Sequence, residues 1–148
     1  MLSNASKYAI RSILYLATNS SEDHKISVKV IAEDLETPQS FLAKLLQQLT
    51  TNKLVSSAKG PHGGFYLSAK NRKKSLWDII KCIDGGEKFN QCFLGLSECN
   101  DVNPCPAHAI VSPFKKQILE NFRDKTIGQY ADESLEKGTY LTLKELEI

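Results

Sequence analysis

The first 52 residues contain three segments in which apolar side chains recur every three or four positions, the spacing of one buried helix face. Ser3 or Ser6 can cap the first segment, and the second begins near Ser27. The third follows Thr37-Pro38, a capping hydroxyl and a proline suited to a first helical turn. Its buried stripe consists of Phe41, Leu42, Leu45, Leu46 and Leu49. Three helices, the last two joined by a tight turn, are typical of a helix-turn-helix unit.

Two short runs of strand-forming residues follow, at positions 54–58 and 65–67. The segment between them, 59–64, is rich in glycine and proline, which supply the backbone geometry of a turn. The pattern predicts a small two-stranded wing. The expected fold class is therefore mainly α with a β-wing, a winged helix-turn-helix domain over residues 1–75.

A second unit is expected over residues 76–130. Ser75 can cap a fourth helix that Gly85-Gly86 ends, and a loop of more than 20 residues, 85–106, comes next. A long helix then carries an apolar stripe: Ile110, Val111, Phe114, Ile118, Leu119 and Phe122. A domain this small has little surface to cover that stripe, so we expect the helix to pair two subunits. Residues 131–148 are acidic, contain no motif, and are assigned to a C-terminal tail.

The net charge of +2 is unevenly distributed along the chain. Residues 1–75 contain 11 Lys and Arg against 5 Asp and Glu, whereas residues 76–148 contain 8 against 12. The first half therefore suits a polyanion such as double-stranded DNA. No apolar run approaches the roughly 20 residues of a membrane span, so no membrane association is expected. Nothing indicates secretion, and the expected location is the cytoplasm, where cysteines stay reduced or bind metals.

The outward face of the third helix carries polar side chains that can read bases in a major groove. Gln39, Ser40 and Lys44 lie nearest its N-terminus, where recognition helices meet base edges. A solvated polar surface is the alternative interpretation of this face. Lys59 and His62 lie on the glycine-rich tip of the wing, which can enter a minor groove. We therefore predict these five residues as the DNA-binding set.

Three cysteines and a histidine in the long loop follow the spacing Cys92-x6-Cys99-x5-Cys105-x2-His108. Three thiolates and an imidazole can enclose one metal centre. Structural zinc favours cysteines two to four residues apart, whereas wider spacing is normal for an iron-sulfur cluster. The spacing favours a [2Fe-2S] or [4Fe-4S] cluster, and zinc remains the alternative. Cys82 lies among apolar residues of the fourth helix and is assigned to the core.

Several segments together resemble one known family. They are Ser6-Lys7-Tyr8-Ala9, the stretch 40–55, the wing 59–67, and the loop end Cys105-Pro106-Ala107-His108-Ala109. The chain is similar over about residues 1–130 to the IscR/NsrR (Rrf2) family of bacterial winged-helix regulators. The resemblance implies a homodimeric transcription factor whose long helix pairs the subunits. It also implies that the loop holds a redox- or nitric-oxide-sensitive iron-sulfur cluster.

The resemblance assigns roles to individual residues. Lys59 matches the basic residue of the wing, and Ser40 and Lys44 fall at DNA-contacting positions. The implied cluster ligands are Cys92, Cys99, Cys105 and His108. The sequence also departs from the family pattern. Six residues rather than five separate the first two cysteines, Lys7 stands where NsrR-like members have an aspartate ligand, and Ala43 replaces an acidic residue that tunes site choice.

The sequence thus predicts a DNA-binding transcriptional regulator, a repressor that binds a palindromic operator as a homodimer. Cluster status, redox state or nitric oxide would be the signal. Two other functions fit parts of the pattern: a zinc-stabilised regulator without sensing, and an electron-transfer iron-sulfur protein. The basic first half disfavours the electron-transfer protein, which needs neither wing nor recognition helix. No nucleophile motif organises the Ser, His and Asp residues, so the chain is not expected to be an enzyme.

Overall fold

The computed structural model describes residues 2–139, and most of them are helical. A small antiparallel sheet follows the third helix. In chain order the elements are α1 (Asn4–Asn19), α2 (Val28–Asp34), α3 (Gln39–Thr51), β1 (Ser56–Ala58), β2 (Gly64–Tyr66), α4 (Ala69–Arg72), α5 (Leu76–Asp84), α6 (Gly86–Phe89), α7 (His108–Asp124) and α8 (Ile127–Lys137). The predicted fold class, mainly α with a small β-wing, is confirmed.

Helix α1 forms the centre of the main core. The Ser3 hydroxyl caps it by accepting the N–H of Ser6 at 3.0 Å. Ile13 and Leu16 are fully buried on its inner face, against which α3, α5 and α8 pack. The N-terminal helix therefore touches both the predicted DNA-binding part and the last described helix of the chain.

The predicted helix-turn-helix consists of α2 and α3. Ser27 caps α2 as expected, by accepting the N–H of Val30 at 3.3 Å. The expectation that Thr37 caps α3 is wrong. Thr37 is buried and its hydroxyl donates back to the carbonyl of Leu35 at 3.2 Å, so Pro38 occupies the cap position without a side-chain bond. The leucines of the α3 stripe are buried as predicted, and Phe41 is half-buried.

The wing is shorter than its sequence pattern suggests. Strands β1 and β2 pair from Ser56↔Tyr66 to Ala58↔Gly64, while the residues before Ser56 are buried in the core instead. Ile26 and Phe65 exchange backbone hydrogen bonds of 2.8 and 2.9 Å, which attach the wing to the segment before α2. A Cβ on Gly64 would lie 2.7 Å from the Ile26 carbonyl oxygen, so this attachment requires glycine.

A buried amide organises the base of the wing, in the polar segment between β2 and α5. Asn71, in the short helix α4, is 4% exposed. Its oxygen accepts from the hydroxyls of Ser56 and Ser68 at 2.7 and 2.8 Å, and its NH₂ donates to the Lys53 carbonyl at 2.9 Å. Because each polar atom has a partner, the amide holds α4, β1 and the end of α3 in fixed positions.

Helix α8 is a second element without a sequence prediction, and it includes part of the segment assigned to the tail. Thr126 and Gln129 form a capping box at its start. Ile127 and Ala131 are buried against α1, and the Ile127 N–H donates to the Lys74 carbonyl at 2.8 Å. Only two side chains of α8 are buried, and most of its other residues are polar. The spacing of apolar residues therefore did not predict this helix. The tail from residue 140 lies outside the described residues.

A smaller apolar cluster joins α5, α6 and α7. Trp77, Ile80 and Phe89 are buried, and the C-terminal half of α7 packs against them through Phe122 and its neighbours. In its N-terminal half α7 keeps an uncovered side, with Ile110 81% and Phe114 53% exposed. In the part of the chain that the structure describes, no helix has the length and hydropathy needed to cross a membrane.

Candidate functional site: a DNA-facing surface and a cysteine loop

The structure places the five predicted DNA-binding residues on α3 and on the wing tip. Gln39, Ser40 and Lys44 are exposed in the first half of α3, and Lys59 and His62 are exposed in the turn between β1 and β2. Neither Lys44 nor Lys59 forms an ion pair with any residue in the range 2–139. Both ammonium groups are therefore available to phosphates or to base acceptors.

One polar residue on α3 has an internal role instead. The side-chain NH₂ of Gln48 donates to the Cys82 carbonyl at 2.9 Å, near the end of α5. Cys82 itself packs partly buried against the main core, and burial raises the pKa of its thiol. Its placement agrees with the core assignment and separates it from the three loop cysteines.

The first loop cysteine, Cys92, is buried within a turn of backbone N–H groups. The N–H of Leu96 is the main group that lowers the pKa of the Cys92 thiol. Burial raises this pKa, but the N–H groups of Leu94 and Gly95 also lower it, and the net shift is downward. Gly95 has a φ of +80°, which directs the chain around the sulfur. The Cys105 thiol also hydrogen-bonds to Cys92. This environment stabilises a thiolate, the form that binds metals.

The second pair consists of Cys99 and His108. His108 is the first residue of α7, and its Nδ1 lies 3.7 Å from the Cys99 sulfur. Its Nε2 lies 2.8 Å from a carboxylate oxygen of Asp101, and this bond lowers the pKa of the Asp101 carboxyl. Metal-binding histidines commonly donate their second ring N–H to a carboxylate in this way. The geometry therefore suits Nδ1 as a ligand atom.

A buried lysine lies between two parts of the loop, near Gln91 and near Cys99. Lys115, on α7, is 9% exposed; its ammonium donates to the Gln91 carbonyl and lies 3.8 Å from the Cys99 sulfur. It has no carboxylate partner among residues 2–139. A buried cation without an anion is costly, so the site favours a negatively charged occupant next to Cys99.

The four predicted ligands thus lie as two pairs, Cys92 with Cys105 and Cys99 with His108. Within the described chain, no three Cys, His, Asp or Glu side chains converge closely enough to hold one ion. The chemistry of the site fits a thiolate-bound metal group: it offers three thiols, an imidazole oriented by Asp101, and the buried ammonium of Lys115. Binding would require the loop to draw the two pairs together.

Sequence reasoning missed Asp101, Lys115 and the bond made by Gln48. Lys115 follows His108 by seven residues, which is two helical turns, so the two side chains share one face of α7. That spacing could have predicted that Lys115 lies near the loop. The sequence could not predict the partner of Gln48, because that bond depends on how α3 and α5 pack.

Comparison with known proteins places this arrangement in context. A family model named Rrf2 and described as an iron-dependent transcriptional regulator matches residues 2–133. An HTH-type transcriptional regulator of Aquifex aeolicus is 35% identical over 129 residues, which cover 86% of this chain and 88% of that protein. The regulator IscR of Klebsiella pneumoniae is 27% identical over 128 residues, covering 86% and 77%.

Two solved structures share the fold. CymR, the global cysteine regulator of B. subtilis, superposes with a TM-score of 0.72 at 20% identity, covering 90% of this chain and 97% of that one. IscR of T. potens gives a TM-score of 0.69 at 22% identity, covering 99% and 96%. These relatives are transcriptional regulators and not enzymes, in agreement with the sequence prediction.

Proposed function

The chain belongs to the Rrf2 family of transcriptional regulators, and from this premise we propose that it is a homodimeric repressor controlled by an iron-sulfur cluster in its cysteine loop. The observation that carries the proposal is the buried ammonium of Lys115 beside Cys99. A cation without a carboxylate partner, in a loop with three thiols, fits a centre whose thiolate ligands give it net negative charge. We place the protein in the bacterial cytoplasm.

Binding to double-stranded DNA would use α3 and the wing. Gln39 can bond adenine through its amide, Ser40 can bond either base type, and Lys44 can reach guanine acceptors. Lys59 and His62 would follow the minor groove or the phosphates beside it. A twofold dimer would place two such surfaces one or two helical turns apart on a palindromic operator.

The homodimer is supported by the uncovered side of α7. Ile110 and Phe114 expose apolar surface on one helix, next to the half that packs on Phe89. Exposed apolar patches of this kind are normally covered by a partner. A second copy of α7 has a matching apolar surface, as a twofold interface requires.

The cluster would be held by Cys92, Cys99, Cys105 and His108, and when bound it would supply sensitivity to oxidants and nitric oxide. The N–H groups around Cys92 stabilise its thiolate, and Asp101 orients the His108 ring. Lys115 fixes α7 against the chain just before Cys92. Loss of the cluster would release the two pairs of ligand residues, Cys92 with Cys105 and Cys99 with His108. The equilibrium between loop arrangements would then shift.

Anaerobic purification followed by iron and sulfide analysis tests the cluster part of the proposal. Anaerobically purified protein should be brown and contain iron and acid-labile sulfide. Cys99→Ala should lose the colour, and Cys82→Ala, the matched control outside the loop, should keep it. Colourless protein with stoichiometric zinc would support the zinc-stabilised regulator instead, and a coloured protein that never binds DNA would support electron transfer.

Selection from a random duplex library, followed by binding titrations, tests the DNA part. Lys59→Ala should weaken binding on all sequences and lower the salt slope by about one unit. Gln39→Ala and Lys44→Ala should change the selected bases, at about 1–3 kcal/mol of discrimination per contact. Three variants that all bind like the wild type would show that the docking surface is misassigned.

A further inference from the structure

A groove on the side of the winged domain contains four lysines and has no assigned role so far. It has a volume of about 740 Å³ and lies between the end of α3, the two strands of the wing, and α4 with the link that follows it. Lys53, Lys70, Lys73 and Lys74 line it, together with the side chains of Ser57 and Tyr66. We call it the lysine groove.

The lysine groove carries uncompensated positive charge. No Asp or Glu lines it, and none of its four lysines forms an ion pair with a residue between 2 and 139. Helix α8, which packs against α4, carries three acids. Asp132 pairs with Arg72 and Glu133 with Lys125 and Lys137, while Glu136 forms no ion pair within residues 2–139 and does not line the groove. The local field therefore attracts anions.

The floor of the lysine groove is rigid. The buried Asn71 fixes the Lys53 carbonyl and the Ser56 hydroxyl, as described above. Lys53 itself has a left-handed backbone, with φ of 59°, and its N–H donates to the Thr50 carbonyl at 3.0 Å. The lysine side chains thus extend from a backbone that is fixed before any ligand arrives, which lowers the ordering cost of binding.

The position of the lysine groove indicates which anion it fits. It shares α3 and β1 with the DNA-facing surface, and Ser57 precedes Lys59 of the wing tip by two residues. Separate point charges along an open groove match a phosphodiester backbone, whose phosphates repeat at regular intervals. We propose that the lysine groove binds the phosphate backbone of double-stranded DNA beyond the segment contacted by α3 and the wing tip.

This inference rests on the proposed DNA-binding function and extends its footprint. Salt dependence measures it directly, because each phosphate neutralised adds about 0.9 to the slope of log K against log salt. The cluster-free full-length chain is titrated by fluorescence anisotropy on random-sequence duplexes of about one and about three helical turns. The wild-type slope should be steeper on the longer duplex, which reaches the lysine groove in addition to α3 and the wing tip. The longer duplex also reaches the second subunit of the proposed dimer, and the triple variant described next separates that contribution from the contribution of the groove.

The test variant combines Lys70→Gln, Lys73→Gln and Lys74→Gln. On the longer duplex its slope should fall by about two to three units. The control combines Lys81→Gln, Lys88→Gln and Lys137→Gln, an equal change in charge at exposed positions that do not line the groove. The salt slope of the control variant should fall by less than about one unit. Equal slopes for the two triple variants would overturn the proposal.

Two further readouts complete the test. A wild-type slope that does not change with duplex length would overturn the proposal without any variant. Inorganic pyrophosphate, followed by NMR at the amides of Ser57 and Tyr66, tests a free phosphate ligand. Pyrophosphate shifts at these amides, combined with equal slopes for the triple variants, would assign the groove to a small anion. If the wild type binds neither duplex in its cluster-loaded form or in its cluster-free form, the proposed DNA-binding function itself fails.

Discussion

The side-chain amide of Gln48 donates to the carbonyl oxygen of Cys82 at 2.9 Å, which joins α3, the helix proposed to face DNA, to α5, the helix that leads into the cysteine loop. Two residues after Cys82, α5 ends at Asp84, and α6 and Cys92 follow. The two candidate regions are therefore connected by this hydrogen bond, by a longer bond from the Cys82 thiol to the Gln48 carbonyl at 4.0 Å, and by the packing of α3 on α5. A change in the loop that moves the end of α5 would reach α3 through this bond.

Removing that bond should weaken the coupling between cluster and DNA. We expect Gln48→Ala to retain the cluster and to bring the DNA affinities of the cluster-loaded and cluster-free forms closer together. Allosteric coupling is typically worth about 1–3 kcal/mol, and a measurable part of it should be lost. Gln47→Ala, on the exposed side of α3, should change both affinities equally. An unchanged affinity ratio for Gln48→Ala, measured anaerobically, would mean that coupling uses another route.

His108 should be the fourth cluster ligand. His108→Cys should keep the cluster and lower its reduction potential, because a thiolate donates more charge than an imidazole. His108→Ala should release iron to a chelator much faster than the wild type. Asp101→Asn should increase the release rate by about tenfold or more, since the carboxylate orients the ring. Wild-type lifetime and potential in His108→Ala would place the fourth ligand elsewhere.

Lys115 should tune the centre and hold the loop. Lys115→Met removes a buried positive charge beside Cys99, so the more negative reduced state loses stabilisation and the potential should fall. In the cluster-free protein the same change should increase hydrogen exchange around Gln91, because the bond to its carbonyl is lost. Lys116→Met, at the exposed neighbouring position, is the control. Equal exchange and equal potential in the two variants would contradict the assignment.

Asp84 should make stability depend on acid pH. Burial alone would raise the pKa of this carboxyl, but the hydroxyl and N–H of Ser3 both donate to it and hold the pKa below its ordinary value of 3.8. The stabilisation is therefore present at neutral pH and is lost as the pH falls through the lowered pKa. Asp84→Asn should cost about 1.5–3 kcal/mol at neutral pH.

Urea unfolding of the cluster-free protein measures this effect. The difference between the wild type and Asp84→Asn should shrink as the pH falls below 3.8. Asp124→Asn, an exposed substitution at the end of α7, should show neither effect. A pH-independent difference for Asp84→Asn would mean that the carboxylate charge is not the source of the stabilisation.

The sequence predicted the elements whose burial is periodic and local. The stripe of α3, the caps at Ser27 and Ser75 and the approximate wing follow from spacing and turn chemistry, which short segments contain in full. The role of Thr37 was predicted wrongly, because a hydroxyl before proline can bond forwards or backwards and the packing of α2 decides which. The pairing of Gln48 with Cys82 and the buried amide of Asn71 depend on contacts between distant segments, which spacing does not encode.

For the candidate site, the sequence predicts the types of ligand residue but not how the structure arranges them. The spacing of Cys92, Cys99 and Cys105 indicates a shared centre, and their division into two pairs arises from the turn at Gly95 and from the start of α7 at His108. The sequence did not predict a role for Lys115, because a lysine on a helix is normally solvated. Only the packing of α7 over the loop buries this side chain.

The packing of α8 on α1 has a consequence for how the protein is made. Ile127 and Ala131 fill a space beside the N-terminal helix, so the DNA-binding core includes side chains from the last fifth of the chain. While the ribosome is still translating residues before 131, that core is incomplete, and the nascent wing and recognition helix lack part of their support. The core of the winged domain is therefore finished only after the cysteine loop has been synthesised, and we expect an incomplete chain without the loop to bind DNA more weakly than the finished one.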